Sequence, residues 1–296
     1  MEMKKAGLIV CAFAMLATLT GCKDAVADIS NGSEKLVSVG DTTITKDKLY
    51  NLLKGSNGGS ATIELVQNKI YEKEGIKLSE DMKKEAKKTL ASTKKTFGGE
   101  EAFLNAIKSY GFNSEEEYLE KASYPSLLNK ELLKKYAKDN QKTLFEKYHP
   151  VKANVIQIEK QENAEKALAA LKKGDSAKTV AKKYGKTGTY DGSEKIYFSG
   201  SGLPDVVFSK ITATSSKGLI KEVIEDTEGK TYYLVNLTNI DPSSFADEAN
   251  DALVAGVSDL SNTMMEHYLK KYNFTIYDID ILNQIKSTNE SYITQK

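Results

Sequence analysis

The order of elements written between Val151 and Asp241 constrains this chain more than any other feature. The stretch opens with Val151-Lys-Ala-Asn-Val-Ile-Gln-Ile-Glu159. Its β-branched residues suit a pleated, partly buried strand. Ala164, Leu168 and Leu171 follow at i, i+4 and i+7, which places them on one face of a helix over 163–173. Gly174 stands where a helix stop belongs. A second helix over 176–184 presents Val180, Ala181 and Tyr184 for burial, and Gly185 ends it. A glycine-bearing loop leads to Tyr197-Phe198-Ser-Gly-Ser-Gly-Leu-Pro204 and a short helix at 205–208. Two closing strands, 219–225 and 231–238, flank Asp226-Thr-Glu-Gly229, a hairpin signal. The unit reads β-α-α-α-β-β.

Helical patterns fill both flanks. Ile63, Val66, Ile70 and Tyr71 recur at helical spacing. Ser114-Glu-Glu-Glu117 has the form of a capping box. The glycines and serines of 55–60 read as a loop. After Asp241-Pro242, the apolar residues Leu253, Val257, Leu260, Met264 and Tyr268 trace one face of a single helix over 245–271, and 274–279 reads as a short strand. The fold class is therefore α+β. The expected segments are a leader over 1–21, a flexible tether over 22–35, a helical lobe over 36–149, the central unit over 150–241, and a C-terminal helix and strand over 242–296.

Lys4-Lys5 precedes an apolar run from Ala6 to Leu19 that is too short to span a bilayer. It ends in Leu19-Thr20-Gly21-Cys22, which resembles a bacterial lipobox with Cys22 as the lipidated residue. More than one acyl chain on Cys22 gives stable membrane attachment. Cys11 leaves with the leader, so the mature chain keeps no thiol for a disulfide, a metal or nucleophilic catalysis.

Forty-two basic residues balance forty-one acidic ones, and every basic residue is lysine. Such a chain has no field suited to nucleic acid and no planar arginine clamp for phosphate. Two histidines, His149 and His267, are too few for a zinc site or a triad. No metal and no cofactor is expected.

The central unit resembles a parvulin-type peptidyl-prolyl isomerase domain. The likeness is carried by the element order, Lys172-Lys173-Gly174, Ala181-Lys-Lys-Tyr184, the Phe198…Gly200…Leu203-Pro204…Phe208 block and Gly229…Tyr232-Tyr233-Leu-Val235. With its leader and helical flanks, the chain is similar to the PrsA-type extracytoplasmic foldase lipoproteins of Gram-positive bacteria. That resemblance implies a helical chaperone lobe, assembled from both flanks, into which the parvulin-like domain is inserted. It also implies two active-site histidines that this chain lacks. Asn154-Val155-Ile156 stands where the first belongs and Tyr233 where the second belongs, while Thr187 replaces the usual acid or thiol. The catalytic candidates are thus Asn154 and Tyr233, and the peptide-groove candidates are Phe198, Leu203, Pro204 and Phe208.

The expected function is that of a foldase on the outer face of the cell membrane, lipid-anchored and binding partly folded secreted proteins, on a degenerate isomerase scaffold. Two alternatives stand beside it, an active peptidyl-prolyl isomerase and a solute-binding lipoprotein. A homodimer is left open.

Overall fold

The computed structural model describes residues 25–295. The leader and the lipidation candidate Cys22 lie outside the described residues. In chain order the elements are β1 (Lys35–Val39), β2 (Thr42–Thr45), α1 (Lys46–Glu74), α2 (Glu80–Thr96), α3 (Glu100–Ser109), α4 (Glu115–Tyr118), a π turn (Leu119–Ser123), α5 (Tyr124–Asp139) and α6 (Gln141–Tyr148). The central stretch gives β3 (Val151–Ile158), α7 (Gln161–Lys172), α8 (Ala177–Tyr184), β4 (Asp191–Tyr197), α9 (Asp205–Thr212), β5 (Gly218–Leu219), β6 (Ile224–Asp226) and β7 (Thr231–Asn239). Then come α10 (Ala246–Gly256), α11 (Leu260–Lys271) and α12 (Ile279–Thr288). The class is α+β.

The chain divides into two compact units, one of residues up to Gln67 together with Leu269–Lys296, the other Asn68–Tyr268. In the first unit β1 and β2 form an antiparallel hairpin. The expected loop at 55–60 is instead part of α1. Its glycines serve packing: a Cβ on Gly59 would lie 2.8 Å from Gln284 Cβ, and one on Gly58 would lie 3.5 Å from Ile281 Cγ1. Helix α12 lies close against α1 there, and Gly59 N donates to Gln284 Oε1 at 2.9 Å. Gln284 Nε2 in turn donates to Lys54 O at 2.8 Å. Lys54 Nζ reaches Asp278 and Asp280 at 2.9 and 2.8 Å. Asp278 Oδ1 also accepts from the amides of Asp280 and Ile281, so it caps α12. This cap explains why 274–279, expected as a strand, is irregular and leads into a helix. The expected tether is bonded to this unit over its described part: Ala25 N donates to Tyr277 O and Asp47 N to Gly32 O.

In the second unit, α2, α3 and the π turn close around Ala86, Leu90, Phe103, Ile107 and Leu119. Phe103 meets Phe97 and Tyr118 edge-on at 5.8 and 5.5 Å. The Ser114 half of the capping box forms, with Glu117 N donating to Ser114 Oγ at 3.1 Å. The Glu117 carboxylate, however, accepts from Asn113 N, one residue earlier than the motif specifies. Helices α5 and α6 are separated at Asn140, and α6 ends at His149, which is left-handed at φ 48° just before Pro150. The helix expected over 245–271 also breaks, between Gly256 and Leu260. Helix α10 packs on α5, so the chain leaves one helical body at Pro150 and rejoins it after Asp241.

The intervening residues form a five-stranded antiparallel sheet in the order β4-β3-β7-β5, with β6 also on β7. Strand β4 corrects the expected element order, because the residues read as a glycine-bearing loop before Tyr197 pair with β3 from Asp191 onward. The residues expected as one strand over 219–225 pair with β7 at both ends, as β5 and β6. One sheet face buries Val151, Ala153, Val155, Val235 and Leu237 under α9. The other buries Ile156, Ile158 and Leu234 under α7 and α8.

Candidate functional site

The period of two along a strand decides which candidates meet. Val155 pairs with Val235 and Gln157 with Tyr233, and these side chains share the α9 face. Asn154 pairs with Asn236 on the opposite face. The sequence candidates Asn154 and Tyr233 are therefore not partners. Tyr233 Oη instead accepts from Gln157 Nε2 at 2.8 Å. Asn154 Oδ1 accepts from Asn236 Nδ2 at 3.1 Å.

Three tyrosines gather on the α9 face. The Tyr190 ring stands edge-on to Tyr233 at 5.7 Å and tilted to Tyr197 at 6.3 Å. Tyr190 Oη donates to Gly202 O at 2.6 Å, which fastens the loop before α9. Burial pushes the Tyr190 and Tyr197 hydroxyls above the usual tyrosine value of 10.0; Tyr233 adds to the first, and Tyr190 and Asp191 to the second. Both are neutral donors at pH 7. The Tyr197 hydroxyl is buried and has no hydrogen-bond partner among the described residues.

The groove candidates separate in the same way. Leu203 belongs to this tyrosine-bearing core, and Phe208 packs against it. Pro204 starts α9, its carbonyl accepting from Val207 and Phe208 at 2.9 and 3.0 Å. Phe198 follows Tyr197 and is turned away from it. It is seated against α10, where a Cβ on Gly256 would fall 2.5 Å from Phe198 Cζ. Phe198 is thus a packing residue between the sheet segment and the helices. Sequence reasoning missed Gln157, Tyr190 and Tyr197. Gln157 was legible as the polar residue in phase with Val151, Ala153 and Val155. Tyr190 and Tyr197 were hidden because β4 was read as a loop.

The α9 face is a packed aromatic and aliphatic cluster, with the Gln157 amide donated to Tyr233 and Thr231 and the Tyr190 hydroxyl to Gly202. It has no histidine and no carboxylate aimed at Tyr233. Among the described residues, no group of three His, Cys, Asp or Glu side chains is placed to hold a metal. No described helix is long and apolar enough to cross a membrane.

Comparison with known proteins finds chains similar to this one. Foldase protein PrsA 2 of Bacillus cereus is 24% identical over 284 residues, covering 92% of this chain and 93% of the relative. Foldase protein PrsA 2 of Streptococcus pyogenes serotype M6 is 26% identical and covers 100% of this chain and 99% of its own length. The chain is similar to PrsA-type foldases along its whole length. The crystal structure of foldase protein PrsA from Streptococcus pneumoniae is 23% identical, covers 88% of this PrsA-like chain, and superposes with a TM-score of 0.47. No family model matches the sequence.

Proposed function

We propose that this chain is a foldase of the outer membrane face, anchored through lipid on Cys22, which holds partly folded secreted proteins and turns over prolyl bonds slowly or not at all. The observation that carries the weak-isomerase part is that Val155 and Tyr233 share one sheet face, at or beside the positions where the resemblance places histidines. Rotation of a peptide bond has a barrier of about 18–20 kcal/mol. Lowering it takes polar groups that favour the twisted amide over the planar one. Valine offers none, and Tyr233 supplies a single buried hydroxyl, whose oxygen already accepts from Gln157. The foldase part rests on the full-length similarity to proteins named foldase PrsA.

The test is refolding of a proline-limited model protein with residues 23–296, beside suppression of aggregation by the same preparation. Aggregation is expected to fall while the slow proline phase keeps its rate. An accelerated proline phase favours a second reading, an active isomerase, in which the Tyr233 hydroxyl, an acceptor from Gln157, supplies its own proton as the donor. In that case Tyr233→Phe should abolish the acceleration. For the anchor, Cys22→Ala should release the protein from the membrane fraction, because the acyl chains supply the attachment.

A further inference from the structure

We infer that the other face of the sheet carries a second binding site, selective for uncharged amide groups. A cavity of about 420 Å³ opens there, with Asn154 and Asn236 as its floor and Leu171 and Leu219 as apolar walls. Its volume falls within the roughly 300–1,000 Å³ of small-ligand pockets. The hydrogen bonds fix how the two amides point. Gly192 O can only accept, so Asn154 must turn Nδ2 toward it, at 3.1 Å. Asn154 Oδ1 then faces Asn236 and accepts from Asn236 Nδ2 at 3.1 Å. Asn236 is left with an oxygen and a second N–H that receive nothing from the described residues. One acceptor and one donor in a single plane are the complement of another amide.

The rim argues against a simple ion. Lys178 and Glu194 both border the cavity, and neither has an ion-pair partner among the described residues. Asp175 adds a further acid. An anion meets Glu194 and a cation meets Lys178, whereas a neutral amide meets no like charge. The backbone is shaped to hold this arrangement. Gly192 has φ 76°, and a Cβ there would fall 2.4 Å from Ala177 O. The amide could come from a peptide main chain or from a glutamine or asparagine side chain.

The test is an NMR titration of residues 23–296 with two peptides, acetyl-tetraglycine amide and acetyl-Gly-Gln-Gly-Gln amide. At least one is expected to shift the Asn154 and Asn236 side-chain signals. Equal affinity for both assigns the site to main-chain amides, and preference for the second assigns it to side-chain carboxamides. Asn236→Ala should weaken binding by about tenfold, the worth of one lost amide pair, while Tyr233→Phe leaves it unchanged. An intermolecular NOE from the peptide to the Asn236 amide in the unmodified chain gives the same reading without a variant. Peptides that leave both asparagines unshifted, or that bind Asn236→Ala as well as the parent, overturn the proposal. Neither result bears on the refolding assay, which reports on the opposite face.

Discussion

The two faces of the five-stranded sheet are made by the same strands and yet hold different chemistry. The α9 face is aromatic and dry, with Tyr190, Tyr197 and Tyr233 packed into the core. The α7–α8 face has a dry half, around Ile156, Ile158 and Leu234, and a wet end where Asn154 and Asn236 floor a cavity. A one-residue step along β3, from Asn154 to Val155, moves from one world to the other. A substitution of histidine by a neighbour in such a strand therefore cannot be judged by distance along the chain. Its parity decides whether it can act at the same site.

Truncation separates the faces most strongly. Tyr233→Ala empties a large buried site and should cost about 3–5 kcal/mol, read as the shift in chemical denaturation. Asn236→Ala removes one partly exposed hydrogen bond and should cost about 1 kcal/mol. Equal costs would break the contrast between a dry face and a wet one. An effect of intermediate size sharpens the account of the wet end. Gly192→Ala places a side chain at φ 76° against the Ala177 carbonyl. It should cost about 2–4 kcal/mol from backbone strain and overpacking together. The loss should come with changed Asn154 side-chain signals, since Gly192 O is the acceptor that orients that residue.

The smallest effect concerns alkali. Tyr190 and Tyr197 hold their protons more tightly when folded, because burial disfavours the phenolate. Below the usual tyrosine value of 10.0, folded and unfolded states are both neutral and the stabilisation is fully present. Above it the unfolded chain ionises first, so stability falls as pH rises through the raised folded values. Denaturation midpoints measured from pH 9 upward should decline, and Tyr190→Phe should flatten the decline. Asn236→Ala should leave the slope alone, because an asparagine has no proton that titrates in this range.

Much of this was legible in the sequence, and the failures have definite causes. The first strand and the two helices after it follow from β-branched and i, i+4, i+7 patterns, and the structure has all three. Strand β4 was not legible because Asp191-Gly-Ser-Glu-Lys is polar and contains a glycine, the composition of a loop. An edge strand with charged residues reads that way for a physical reason, since charge on an exposed edge discourages pairing with other chains. Residues 55–60 failed in the opposite sense. Glycines there suggest a break, but α12 supplies the packing that keeps the helix whole. Of the sequence candidates, Tyr233, Leu203 and Phe208 lie in or against one core cluster, whereas Asn154 lies on the other sheet face and Phe198 against α10. The register that sorts Asn154 and Tyr233 onto faces is a property of paired strands.

The glycine contact between α1 and α12 also sets an order in time. The ribosome delivers Gly59 long before its partner Gln284, which lies 225 residues further on. Until then, a helix carrying Gly55, Gly58 and Gly59 has little to hold it, since each glycine costs about 1 kcal/mol relative to alanine. The first unit thus cannot set when its own first residues emerge. It waits for α12, so a chain cut short anywhere before Ile279 keeps a loose N-terminal segment, and the exported chain closes this unit only once α12 has joined it.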